Sequence, residues 1–219
     1  MKKVEVITPI LNANDLMAQK NQDLLRTYGI LPVNLMASPG AGKTSLVLQT
    51  IKALQGRARL GVVEGDVASS IDSEKVASTH TPVIQINTGG ECHLDALTVQ
   101  KALNALPLSS LDILLIENVG NLICPVEFRL GEKIRVAIAS VAEGDDKPYK
   151  YPGIFTSVHA VVLNKIDLLP HVDFDLEAMR QAIKRLNPEA KIFELSCRTG
   201  EGITAWASWL ESQWKAQGK

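Results

Sequence analysis

Residues Ala37 to Ser45 read A-S-P-G-A-G-K-T-S and follow the apolar run Val33-Asn34-Leu35-Met36. A strand, a Gly-rich turn and a Lys-Thr pair opening a helix make a cradle for a polyphosphate. Converging backbone N–H groups and the positive end of the helix both favour negative charge there. In such a cradle Gly40, Ala41, Gly42, Lys43, Thr44 and Ser45 hold the phosphates, with Lys43 on the outer ones and the Thr44 hydroxyl on Mg²⁺. The full pattern carries glycine where Ala37 stands, and alanine adds only a methyl group. The plain alternative is a Gly-rich turn that holds no nucleotide.

A second group of residues selects the base. Val161-Val162-Leu163 runs into Asn164-Lys165-Ile166-Asp167, an N-K-x-D pattern at a strand end. The Asp167 carboxylate matches the N1–H and exocyclic amine of guanine, a donor pair that adenine lacks, so the wrong base leaves a desolvated charge unpaired. The Lys165 stem can lie on the base face, and Asn164 either bonds the purine edge or ties the loop together. Ser196-Cys197-Arg198-Thr199-Gly200 resembles the S-A-x-T-G loop that closes over guanine, the alternative being a strand-to-helix turn hinged at Gly200. GTP is therefore the expected nucleotide.

Mg²⁺ and the attacking water need acidic groups at neighbouring strand ends. Glu64-Gly65-Asp66 and Glu117-Asn118-Val119-Gly120 supply them, which makes Asp66 and Glu117 the candidates beside Lys43 for catalysis and beside Thr44 for Mg²⁺. Helix capping is the other reading of Asp66. No glutamine stands where a signalling GTPase orients its water, and no arginine finger is evident in the chain, so slow intrinsic turnover is expected.

Three further residues have no place in a plain GTPase. Cys92 and His93, in T-G-G-E-C-H-L-D, offer a thiolate and an imidazole at the start of a helix, whose positive end lowers a thiol pKa. Cys124, in N-L-I-C-P, follows soon after Glu117. Each cysteine alone reads as a small buried hydrophobe, and His93 alone as a surface imidazole. Together, at one sheet edge, they suit Ni²⁺ or Zn²⁺ rather than Mg²⁺ or Ca²⁺. They provide one ligand too few for a closed tetrahedron, leaving the rest to water or a second subunit. Cys197 is read as structural with respect to metal, and His80, His159 and His171 as surface or loop residues.

The elements that must position these groups follow from apolar periodicity. Strands are expected at Pro32–Met36, Arg59–Val63, Val83–Ile86, Ile113–Glu117, Ile134–Val141, Ala160–Leu163 and Ile192–Leu195, mostly apolar throughout as parallel strands covered on both faces should be. Leu176, Met179, Ile183 and Leu186 form one helical stripe, capped by Asp173 or Asp175, and Ile203, Trp206, Leu210 and Trp214 form another. Residues Asn12 to Tyr28 read as a polar leading helix and Glu143–Pro152 as a long loop. The fold class is α/β, a P-loop NTPase with a doubly wound, mostly parallel sheet flanked by helices and an N-terminal helix. One domain, residues 1–219, is expected, with residues 1–30 as a helical extension.

The motifs S-P-G-A-G-K-T-S, E-G-D, T-G-G-E-C-H-L-D-A, E-N-V-G-N-L-I-C-P, E-G-D-D-K-P-x-K-Y-P and L-N-K-I-D-L-L occur in this order. From about Asn12 to Gly202 the chain resembles the HypB family of hydrogenase-maturation GTPases. That resemblance implies a GTP-dependent homodimer of the same P-loop class as the urease accessory GTPase. It also implies a nickel or zinc site built from Cys92, His93 and Cys124 of both subunits at the dimer interface. Implied partners are a second nickel-maturation accessory protein and the large subunit of a [NiFe] hydrogenase. The N-terminus has neither the Cys-rich motif nor the His-rich tract of some members, so nickel storage is not expected of this chain. Glu91, before Cys92, is a departure with no firm account. Rival readings are a urease-type accessory GTPase, disfavoured because those carry Cys-Pro-His, and a passive metal chaperone whose GTP site sets only assembly. A P-loop kinase would make Asn164–Asp167 coincidental.

Composition narrows the setting. With 219 residues, 46% hydrophobic and 21% charged, and a net charge of −1, no basic field points to nucleic acid. No apolar stretch approaches the ~20 residues of a membrane span. Met1-Lys2-Lys3-Val4-Glu5 has no apolar signal core, and three cysteines do not make a disulfide framework. A cytoplasmic location is expected.

Overall fold

In the computed structural model the apolar runs form seven strands: β1 (Leu31–Ala37), β2 (Leu60–Asp66), β3 (Val83–Asn87), β4 (Ile113–Glu117), β5 (Ile134–Ser140), β6 (Ala160–Asn164) and β7 (Lys191–Glu194). The structure describes residues 7–66 and 71–218, so the reading of Met1–Glu5 lies outside it. The sheet order is β3-β2-β4-β1-β5-β6-β7 and every neighbouring pair is parallel. β1 is the switch point: the chain winds outward through β2 and β3, returns at β4, then crosses to β5 on the far side. Ligands of such sheets bind in the crevice that opens there.

Nine α-helices are described: α1 (Ile7–Thr27), α2 (Lys43–Leu54), α3 (Ile71–Ala77), α4 (Ala96–Ala105), α5 (Cys124–Glu127), α6 (Lys147–Lys150), α7 (Pro152–Thr156), α8 (Leu176–Leu186) and α9 (Ile203–Lys215). Strand alternation sorts the core. Leu31, Val33 and Leu35 of β1 and Ile134, Val136 and Ile138 of β5 face α2 and α9. On the other face Leu114 and Ile116 meet α1 and α4, while Met36, Ala137 and Val161 meet α7 and α8. Both faces are covered, which is why the central strands read as unbroken apolar runs. The expected stripes on α8 and α9 face the core, with Met179, Ile183, Ile203, Trp206 and Leu210 buried and Leu176, Leu186 and Trp214 partly so, and Asp175 caps α8 by accepting from Ala178 N at 2.8 Å.

Two expectations change. Residues Glu143–Pro152 are only in part a loop, because Pro148 and Pro152 sit in the first turns of the short helices α6 and α7. Proline costs nothing there, since the N–H it lacks would be unpaired anyway. A reciprocal capping box between Ser140 and Glu143 opens this segment. The leading helix begins earlier than expected, at Ile7, and its polarity has a structural cause. Asn14 donates to Arg129 O (2.8 Å) and accepts from Ala96 N (2.9 Å), and Asn21 donates to Ala96 O (2.7 Å) and Leu130 O (3.0 Å). These residues are seven apart, so they share one helix face and grip with it the start of α4 and the Arg129–Leu130 loop. Gly131, at φ 101°, lets its loop approach so closely that a Cβ would lie 2.6 Å from that of Asn21.

Asn21→Ala leaves the carbonyls of Ala96 and Leu130 short of a partner in a fully buried setting. The expected loss is about 1–3 kcal/mol of unfolding free energy, measured by urea denaturation. Lys20→Ala, one residue away and exposed, should stay within about 0.5 kcal/mol of the parent.

Candidate functional site

β1 leads into the phosphate loop and α2 leads out of it, as expected. Gly42 is the N-cap of α2 at φ 100°, and it brings no side chain to occupy the first N–H groups of the helix. A Cβ at this position would collide with the Asn164 amide, so the close approach requires glycine. Ala37 is fully buried as the last residue of β1, in regular register with Ile138. The loop lines a cavity of about 580 Å³ together with Glu64, Asp66, Asp72, Lys75, Glu117 and Gly120. Burial draws the Lys43 ammonium below the usual lysine range, against the opposing pull of Glu117, Asp72, Asp66 and Glu143.

Four carboxyl groups, Glu64, Asp66, Asp72 and Glu117, crowd this cavity beside Lys43, Lys75 and Lys165. Thr44 Oγ1 lies 2.9 Å from Glu117 Oε1 and 3.1 Å from Asp72 Oδ2, and one hydroxyl proton cannot serve both at once. The β2–β4 register sets Glu64 opposite Glu117. Burial, then the neighbouring Glu117 charge, push the Glu64 carboxyl up to about 8. Burial likewise pushes Glu117 up to about 7, with Lys43 and Thr44 pulling the other way. One buried oxygen of each, Oε2, has no hydrogen-bond partner among the described residues. Orphaned carboxylate oxygens beside a hydroxyl are the donor set a hard divalent cation takes. Asp66 closes β2 and lines the same cavity.

Glu64 and Asp72 were not singled out in the sequence. Glu64 stands two residues before Asp66, and alternation along a strand puts both side chains on one face. Asp72 had a weaker signal, an acidic residue in the first turn of the helix after β2.

A second pocket of about 270 Å³ adjoins the first, sharing Gly42, Ser45 and Lys165 and adding Asn164, Asp167 and Cys197. Of the two readings of Asn164, the tie between loops is the arrangement found. Its Nδ2 donates to Ala41 O at 2.9 Å, and its Oδ1 accepts from Lys165 N (2.8 Å) and Cys197 N (3.2 Å). Lys165, left-handed at φ 63°, bridges to Gly40 O at 2.8 Å. Asp167 Oδ1 accepts from Ser196 Oγ at 2.5 Å, and that hydroxyl accepts in turn from Arg198 N and Thr199 N. One hydrogen-bonded unit thus joins the N-K-x-D turn, the Ser196–Thr199 turn and the phosphate loop. Burial raises the Cys197 thiol to about 11, which keeps it protonated.

The ligand atoms of Cys92, His93 and Cys124 lie within 4.8 Å of one another, with Cys92 Sγ 3.5 Å from His93 Nδ1. Among the described residues no other group of three His, Cys, Asp or Glu converges so closely. The carboxylates of the phosphate cavity spread wider, as suits an ion that keeps several of its waters. His93 stacks on Phe128 with centroids 3.9 Å apart, and burial lowers its pKa toward the neutral, ligating form. One detail differs from expectation. Cys92 and His93 occupy a turn before α4, whose N-cap is Asp95. The Cys92 thiol is held above its usual range, chiefly by the Cys124 thiol beside it, rather than lowered by a helix end. His80 and His159 stand apart from this cluster; His159 Nδ1 accepts from Arg135 N at 3.0 Å.

Comparison with known proteins gives a consistent result. Residues 32–194 match the family described as "CobW/HypB/UreG, nucleotide-binding domain". The chain is 43% identical over 212 residues to the hydrogenase maturation factor HypB of Escherichia coli K12, covering 97% of this chain and 73% of that protein. It is similar in structure to the hydrogenase maturation factor HypB of Archaeoglobus fulgidus, with TM-score 0.87, 42% identity, and coverage of 93% of this chain and 99% of that one. HypB of Helicobacter pylori, solved in complex with nickel, matches with TM-score 0.89 and 32% identity over 93% of this chain and 96% of that one.

The raised Glu64 pKa has a definite sign. From about pH 4.5 to 8 the folded protein holds a proton there that the unfolded chain releases, so this group lowers stability as pH rises through that window. Glu64→Gln cannot ionise. Its melting temperature without nucleotide should therefore gain on that of the parent steadily between pH 5 and 8. A pH-independent difference in thermal scans would place the raised pKa elsewhere.

Proposed function

The chain belongs to the HypB hydrogenase maturation factors of the CobW/HypB/UreG family, and from that premise we propose that it is a GTPase coupling GTP hydrolysis to nickel delivery. The observation that carries this reading is the Cys92–His93–Cys124 cluster, joined to the nucleotide cavity by the segment that starts at Glu117. GTP lies with its phosphates on Gly40–Ser45 and its base against Asp167, which accepts from guanine while Ser196 holds its other contact in place. Lys43 and the N-terminus of α2 draw the developing charge of the γ-phosphate in the transition state. Thr44, Asp72 and Glu117, with Asp66 beside them, would hold Mg²⁺, which when bound supplies charge neutralisation for the phosphates. Glu117 or Asp66 orients the attacking water. Among the described residues no arginine lines the nucleotide cavity, so turnover is slow.

Nickel or zinc is held by Cys92, His93 and Cys124, and the open fourth position is filled by water or by a second copy of this chain. A GTP-dependent homodimer fits that ligand count. A change in the γ-phosphate alters the Glu117–Cys124 segment and with it the grip on the metal, a population shift of the kind nucleotide switches use. Delivery to a [NiFe] hydrogenase large subunit with a second accessory protein, in the cytoplasm, completes the reading. None of the described helices is long and apolar enough to cross a membrane.

Multiple-turnover GTP hydrolysis with and without Ni²⁺ tests the enzymatic part; turnover indistinguishable from the buffer blank under both conditions would leave only a nucleotide-set metal binder. Lys43→Ala should abolish hydrolysis. Asp167→Asn keeps the Ser196 contact but presents a donor to the purine, so preference should move from GTP toward XTP, and unchanged GTP affinity would remove Asp167 from base recognition. Cys92→Ala and Cys124→Ala should each abolish stoichiometric nickel binding in metal titrations and leave GTP affinity intact.

A further inference from the structure

The two apolar clusters on the α1/α4 and α7/α8 face of the sheet do not merge; a buried polar chain runs between them. Asn34 of β1 and Arg135 of β5 are register partners facing this seam. Asn34 is fully buried and donates to Glu132 Oε1 at 3.3 Å. Glu132, whose side chain is 2% exposed, pairs with Arg135 (Nε to Oε1 3.1 Å) at a distance suited to charge attraction but without hydrogen-bond alignment. Arg135 Nη2 donates to the carbonyls of Pro125 and Val126, both at 2.9 Å. Those carbonyls belong to α5, whose first residue is Cys124.

In the other direction Asn34 Oδ1 accepts from Asn118 Nδ2 at 3.3 Å, and Asn118 Oδ1 accepts from Leu94 N at 3.0 Å. Leu94 follows Cys92-His93 directly. A single chain of polar contacts therefore starts at the turn bearing one thiol and imidazole and ends on the helix bearing the other thiol. Burying a guanidinium, a carboxylate and two amides is costly where an apolar seam would pack. A helix as short as α5 has little of its own to hold it.

We propose that Arg135 is a positioning residue for the metal site: with Glu132, Asn34 and Asn118 it fixes the α5 thiol against the Cys92–His93 turn. This rests on the reading of Cys92, His93 and Cys124 as metal ligands. Groups that orient ligands from behind typically change metal affinity ~10–100-fold when removed. The measurement is Ni²⁺ affinity by competition with a chromophoric chelator, the thiolate-to-nickel absorption band, and GDP affinity of the same samples. Arg135→Gln should weaken nickel binding ~10–100-fold and alter the band, with GDP affinity within about twofold. Arg135→Lys, which keeps the charge beside Glu132 and one donor for α5, should recover most of the loss. Glu132→Gln should fall between the two. Wild-type nickel affinity in Arg135→Gln, or parallel loss of nickel and GDP binding in both Arg135 variants, would overturn the positioning role. Failure of the unsubstituted protein to bind nickel would overturn the ligand assignment beneath it.

Discussion

The parallel pairing of β1 with β4 on one side and β5 on the other is the constraint on which the rest depends. It sets Leu35 beside Glu117 and Ala37 beside Ile138, so the phosphate loop leaves β1 with an acidic strand end next to it. Side chains alternate along a strand, so a slip of one residue would turn Glu117 to the opposite face and move Asn34 out of the polar seam. Such a slip is opposed by the apolar residues of β1 and β5 that pack on α2 and α9. The register is thus specified by hydrophobic burial on one face and read out as chemistry at the strand ends.

That chemistry is kept under electrostatic tension. Glu64 and Glu117 sit opposite one another, each with a buried oxygen unpaired among the described residues, while Lys43 is desolvated within reach of Glu117, Asp72 and Asp66. A protein selected for stability alone would replace such groups, because an uncompensated buried charge costs more than a packed hydrophobe contributes. Their retention is intelligible if a divalent cation and a polyphosphate complete the charge balance. Lys43 then faces phosphate instead of carboxylate, and the hydroxyl of Thr44 no longer has two acceptors competing for one proton. The same logic explains why the first turn of α2 carries no side-chain cap.

Much of this was legible in the sequence, where chemistry depends on residues close together along the chain. The phosphate loop, the N-K-x-D turn and the Cys-His pair each hold their groups within a few residues, and the apolar runs located all seven strands. What escaped depends on register and on contacts across the sheet. Glu64 becomes part of the acidic site through its pairing opposite Glu117, and Asp72 through the path of α3 back to Thr44. The segment Glu143–Pro152 read as loop because Pro148 and Pro152 are helix breakers in the middle of a helix and helix starters at its first turn. Asn164 has donors and acceptor suited both to a purine and to a loop, and only the position of Ala41 O decides between them.

The leading helix and the polar seam answer the same mechanical problem. Cys92-His93 and Cys124 lie on a turn and on one turn of helix, elements with few apolar contacts of their own to define their separation. α1 grips Ala96 on one side and Arg129 and Leu130 on the other through Asn14 and Asn21. Arg135 and Asn118 reach the same two segments from beneath. Hydrogen bonds serve here where apolar packing would not, because they constrain direction and distance while leaving the tips of the segments exposed to exchange a ligand. Asn118 is also the residue after Glu117, so a displacement of the acidic strand end enters this polar frame within one peptide bond. The frame that sets the thiol spacing and the carboxylate that lines the nucleotide cavity are in this way parts of one backbone segment, which is the minimum the proposed switch between them requires.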